Sequence, residues 1–96
     1  SGIAAKYQNL CSSCHGVEGK ADSPTAMALN PKPRSFVDTK WQASVTDEHI
    51  GNVIRKGGAA MGLSATMAPW SESLISDSEL VELIQYIRAF GQTNED

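Results

Sequence analysis

Long apolar runs are absent from this sequence. No stretch approaches the roughly 18 consecutive apolar residues of a membrane-spanning helix, so no membrane span is expected in this chain. The opening residues also lack the charged, apolar and small regions of a secretory signal. An exported protein with this start has already lost its signal, or the chain is a domain cut from a longer one. Cysteine is scarce: the only two, Cys11 and Cys14, stand three positions apart. That excludes a disulfide framework, which spreads several cysteines over the chain. Basic residues are few and scattered, eight Lys and Arg against eleven Asp and Glu, for a formal net charge of −3. Nucleic-acid binding needs clustered cations to displace counterions and is excluded as a reading. A mildly acidic protein instead favours partners with a positive docking surface. No run shows strand alternation, and there is no internal repeat or low-complexity segment. The 96 residues make a single domain, 1–96, short enough to need a staple such as a metal or cofactor.

What is present is helical periodicity in three places. Ile3, Tyr7 and Leu10 fall at i, i+4 and i+7, which predicts a helix over Gly2 to Leu10 with one apolar face. Thr46 is a suitable N-cap for a second helix to Lys56, with Asp47 and Glu48 at its positive end, Ile50, Val53 and Ile54 on its apolar face, and Gly57-Gly58 as the stop. Ser76 and Glu79 have capping-box spacing before a third helix, Asp77 to Phe90. There Leu80, Leu83, Ile84 and Ile87 share a face and Gly91 closes the end. Between these, Val17 to Lys40 reads as loop, with at most one helical turn over Pro24 to Leu29, because its prolines remove donors and disfavour helix before them. Ala59 to Ser76 reads as irregular, and the polar tail from Gln92 to Asp96 as frayed. Loops this long are suspect in a compact domain unless they wrap a large apolar ligand.

Cys11-Ser12-Ser13-Cys14-His15 supplies that ligand. Cys-x-x-Cys-His is the attachment signature of c-type haem. Each thiol adds to one porphyrin vinyl group to make a thioether, and the two intervening residues set the sulfurs over adjacent pyrrole edges. The histidine that follows swings under the iron as proximal ligand. A structural zinc site needs four ligands and usually two such cysteine pairs, whereas only His49 is left over here. A thioredoxin-like redox pair needs a strand–helix context, which is missing. The reading is therefore one haem c, attached through Cys11 and Cys14. The sixth iron ligand decides between electron transfer, gas binding and catalysis. His49, Met27, Met61 and Met67 are the candidates. His49 lies in the charged first turn of a helix and reads as a surface residue, and Met27 reads as core. Met61 and Met67 lie in the irregular stretch, where a side chain can be aimed at the iron.

With these residues in view, the chain resembles the class I c-type cytochromes, the bacterial monohaem kind, over nearly its whole length. Tyr7, four residues before the first cysteine, resembles the aromatic of that family's N-terminal helix, and Tyr86 that of its C-terminal helix. Leu29-Asn30-Pro31-Lys32-Pro33-Arg34 looks like the family's proline-rich loop. Met67-Ala68-Pro69-Trp70 looks like its methionine-ligand segment with alanine and proline exchanged. Ile3 holds the place where a glycine is usual, with Gly2 one position earlier.

The resemblance implies an all-α cytochrome c fold, three main helices with loops wrapped around one covalently bound haem, and the N- and C-terminal helices packed on each other. It implies His15 and Met67 as the metal ligands, with Met61 lining the pocket near the exposed haem edge, and the carbonyl of Pro24 holding the other ring nitrogen of His15. It implies Arg34 on a haem propionate, Trp41 donating to a propionate or covering the haem, and Trp70 filling core beside it. The expected function is one-electron transfer, not enzymatic catalysis, with thioether ligation raising the reduction potential. Transient docking of redox protein partners is expected around Val17, Ala59, Ala60 and Met61, in the periplasm or an equivalent compartment. Two alternatives remain: a haem sensor or peroxidase-like domain with a displaceable sixth ligand, and a haem domain of a larger redox enzyme.

Overall fold

The N-terminal helix forms where the periodicity places it. In the computed structural model, which describes residues 2–28, 33–63 and 67–92, α1 spans Gly2–Leu10 and buries Ile3 and Tyr7. Its hydrogen bonding does not stop at Leu10. Cys11 N donates to Tyr7 O at 2.9 Å and His15 N to Cys11 O at 2.9 Å, so a second helical turn, α2 (Ser12–His15), follows a kink at Cys11.

The one helical turn allowed over Pro24 to Leu29 does form, and a helix not expected from the sequence begins where the expected loop ends. Pro24–Ala28 forms α3, with Ser23 Oγ accepting from Ala26 N at 3.0 Å. Thr39–Ser44 forms α4. Here Asp38 is the N-cap, and its carboxylate accepts from Lys40 N at 3.0 Å and Trp41 N at 3.2 Å. Leu29 to Lys32 of the proline-rich loop and Thr93 to Asp96 of the tail lie outside the described residues.

Helix α5 runs Asp47–Lys56. Thr46 Oγ1 caps it through His49 N at 3.0 Å, and it buries Ile50 and Ile54. A short 3-10 turn, Ala59–Met61, follows. Helix α6 runs Asp77–Gln92 and buries Leu83 and Ile87. Its capping box is reciprocal: Glu79 N donates to Ser76 Oγ at 3.2 Å, and Ser76 N donates to Glu79 Oε1 at 2.9 Å.

Gly91 does not close α6, which passes through it. Its lack of a side chain serves packing instead. A Cβ there would stand 2.7 Å from Gln42 Cγ. Gln42 fills that space while its Nε2 donates to Phe36 O at 2.8 Å and Ile87 O at 3.0 Å.

The N- and C-terminal helices pack on each other. Tyr7 is fully buried, with its ring centroid 5.0 Å from Tyr86 and 5.3 Å from Phe90. Its hydroxyl donates to Gly16 O at 2.8 Å, so the buried oxygen is paired. No glycine on α1 is needed for this packing, since a Cβ on Gly2 would meet nothing. Among the described residues there is no strand, and the fold is all-α, with one core of Ile3, Tyr7, Phe36, Ile50, Ile54, Ile75, Leu83 and Ile87.

Candidate haem site

The helical continuation from α1 into α2 is what presents the motif. Cys11 and Cys14 lie one turn apart as free, half-buried thiols. Burial, with a smaller contribution from Cys14, pushes the Cys11 thiol up to about 11, so it is protonated at neutral pH. Among the described residues no three His, Cys, Asp or Glu side chains converge as they would on a bare metal ion. Two thiols followed at once by a histidine are instead the donor set of a haem attachment site.

His15 is held on two sides. Its Nδ1 lies 3.0 Å from the carbonyl of Arg34. A carbonyl can only accept, so Nδ1 carries the proton and Nε2 keeps its lone pair. Among the described residues Nε2 has no hydrogen-bond partner. Burial lowers the imidazole pKa below its ordinary value, with the Arg34 carbonyl opposing in part, so the ring is neutral at pH 7. A neutral imidazole with a free, oriented Nε2 is the form that ligates a metal. The ring of Phe36 lies parallel to it, with centroids 4.3 Å apart and planes at 17°.

Arg34 rather than Pro24 thus supplies the carbonyl to His15. Pro24 starts α3, where carbonyls are directed along the helix toward the residue four ahead. The side chains of both Pro24 and Arg34 are exposed. Met27 is not core either, being 62% exposed. His49 is half-buried at the start of α5. Trp41, half-buried on α4, lies 5.5 Å from Phe36 between ring centroids.

The Met67 segment rests on the end of α5. Gly58 N donates to Met67 O at 2.9 Å, and Trp70 N donates to Ile54 O at 2.9 Å. Gly57 permits this approach. Its φ is +83°, and a Cβ would lie 2.9 Å from Pro69 N and 3.1 Å from Met67 O. Pro69 therefore fits where it stands, one place later than in the family's usual order. Cys11, Trp41, Met67 and Trp70 all pack against the same buried cluster. Met61 is half-buried at the end of the 3-10 turn, whereas Val17, Ala59 and Ala60 are exposed.

None of Phe36, Gln42, Arg55 and Gly57 reads from the sequence as a site residue. Only Gly57 left a usable trace there, as one of two consecutive glycines that read as a stop signal and also mark a close backbone approach.

A scan against protein families matches residues 2–87 to the family described as cytochrome C oxidase, cbb3-type, subunit III. No curated protein matches the chain. Among solved structures, the KustC0563 c-type cytochrome is similar at 32% identity and a TM-score of 0.70, covering 91% of this chain and 94% of its own. Proteins of this kind carry covalently bound haem, serve electron transfer and are typically extracytoplasmic. No helix among the described residues is long and apolar enough to cross a membrane. With its all-α fold, its tethered histidine beside two thiols and the family match over most of its length, the chain belongs to the class I c-type cytochromes, within the family described as cytochrome C oxidase, cbb3-type, subunit III.

Proposed function

We propose that residues 1–96 form one domain that carries single electrons by way of a single haem c, and that it is a carrier rather than an enzyme. When bound, the haem supplies the one-electron iron couple. Cys11 and Cys14 would hold it as thioethers, and Nε2 of His15 and the thioether of Met67 would ligate its iron, the soft sulfur favouring the ferrous state and keeping oxygen out. Arg34 would meet a propionate, Trp41 would donate to a propionate or cover the haem, and Trp70 and Met61 would line the pocket. Partners dock transiently around Val17, Ala59, Ala60 and Met61, in the periplasm or its equivalent.

The observation that carries this reading is the His15 imidazole, neutral and fixed through Nδ1 to the Arg34 carbonyl, with Nε2 left free beside two thiols. Met67 is supported by its carbonyl bond to Gly58 and its packing on the core that Cys11 also touches. The test is spectroscopic. The ferric protein should show the weak far-red band of iron–thioether ligation, and Met67→Ala should abolish it and open the iron to added ligands. Persistence of the band in Met67→Ala would assign the sixth position to another residue.

The family description favours one further reading, that the domain hands its electrons to a terminal oxidase as part of a larger assembly. Turnover of such an oxidase with the reduced protein as donor tests it. Oxidation no faster than that of an unrelated cytochrome would leave only the general carrier role.

A further inference from the structure

Two arginines in this chain hold backbone carbonyls, and they hold different segments. Arg55, in the last turn of α5, donates from one Nη to Trp70 O at 3.1 Å and Ile75 O at 2.6 Å, and from the other to Asp77 Oδ1 at 2.8 Å. Arg88, on α6, donates to Gln42 O at 2.6 Å, Gln42 Oε1 at 3.0 Å, Val45 O at 2.8 Å and Asp47 Oδ1 at 2.8 Å. Both guanidinium groups are mostly shielded, with side-chain exposures of 20% and 25%, while their aspartate partners are 79% and 70% exposed. Exposed ion pairs contribute little. The part-buried carbonyls therefore dominate, because each would be left unpaired without its arginine.

The position of Arg55 bears on the Met67 segment. That segment is fixed to α5 at Met67 O, through Gly58 N, and at Trp70 N, through Ile54 O. Arg55 takes the next available group, Trp70 O, and ties it to Ile75 and to the start of α6. We propose that Arg55 is a positioning residue for Met67: by holding Trp70 O while Ile54 O holds Trp70 N, it fixes residues 67–70 on α5 so that the Met67 sulfur would be kept in reach of the iron. This rests on Met67 being the sixth ligand. Without Arg55, Ile75 stays anchored by its fully buried side chain, but Trp70 O loses its donor and the Met67-dissociated state gains population. An external ligand binds that state, so its apparent affinity measures the change.

The experiment titrates the ferric holoprotein with imidazole and follows the far-red band in wild type, Arg55→Leu, Arg55→Lys, Arg88→Leu and Met67→Ala. Arg88→Leu removes a clamp of the same chemistry that does not touch residues 67–77, so it controls for general loss of stability. Both leucine variants should melt at lower temperature. Arg55→Leu should bind imidazole about tenfold more tightly than wild type, as expected for lost hydrogen bonds to a charged group. Arg55→Lys, with one donor group in place of a fork, should fall between them. Arg88→Leu should stay within about twofold of wild type, as for an independent site. Equal affinities in Arg55→Leu and Arg88→Leu, or wild-type affinity in Arg55→Lys if the leucine variant does not mature, would overturn the proposal while leaving Met67 ligation intact. A wild-type protein without the band would remove the ligand assignment, and this inference with it.

Discussion

At the scale of single residues, charge placement at the start of α6 has a pH signature. Hydrogen bonding from Ser76 N, reinforced by Lys6, holds the Glu79 carboxyl below its ordinary value of 4.5. A carboxyl depressed on folding stabilises the native state above the unfolded-state value and loses that contribution as pH falls through the folded value. Glu79→Gln should therefore lower the thermal midpoint at neutral pH, and the difference from wild type should shrink to nothing in acid. A difference that persisted undiminished in acid would show that the charge is not what matters. Lys6, which also donates to Leu74 O, ties the same corner to α1.

At the scale of elements, α4 is the piece that periodicity missed. Thr39–Ser44 is too short to display an apolar stripe, and its start is marked only by the Asp38 cap. Asp38→Ala should cost about 1 kcal/mol, as for other N-cap carboxylates, measured as a fall in stability under denaturant. An unchanged stability would mean that α4 is held by Trp41 and Gln42 alone. Gly91 gives a sharper case. An alanine inside a helix is ordinarily worth about 1 kcal/mol over glycine. Here its Cβ would enter the space of Gln42 Cγ, which is not free to leave because Gln42 holds both Phe36 and Ile87. Gly91→Ala should lower the thermal midpoint, and a rise would show that Gln42 can give way without cost.

These elements also show where sequence reading succeeds. Helices α1, α5 and α6 follow from apolar spacing and from caps whose partners lie within a turn: Thr46 with His49, and Ser76 with Glu79. The Cys-x-x-Cys-His motif is equally local, since its chemistry needs five consecutive residues. What sequence could not supply is long-range. The bond from His15 to Arg34 spans 19 positions, the reach of Arg55 to Ile75 spans 20, and that of Gln42 to Ile87 spans 45. Each is set by how helices pack, not by neighbouring residue types. Gly91 reads as a helix stop for the same reason, because a glycine's lack of a side chain has the same sequence signature whether it ends a helix, as Gly57 does, or admits a neighbour.

At the scale of the whole molecule, the two ends of a small helical fold are joined by α1 packing on α6. Its middle supplies two segments: one holds His15 through Arg34 and Phe36, the other carries Met67 on the end of α5. A domain of this size gains much of its stability from what it binds, so the tether at Cys11 and Cys14 is the claim on which the rest depends. The intact mass of the matured protein, taken under denaturing conditions together with its pyridine haemochrome spectrum, tests it most directly. The expected result is the mass of the polypeptide plus one haem, with the spectrum of a porphyrin whose two vinyl groups are saturated. A polypeptide-only mass, or a haem that dissociates on denaturation, would contradict it.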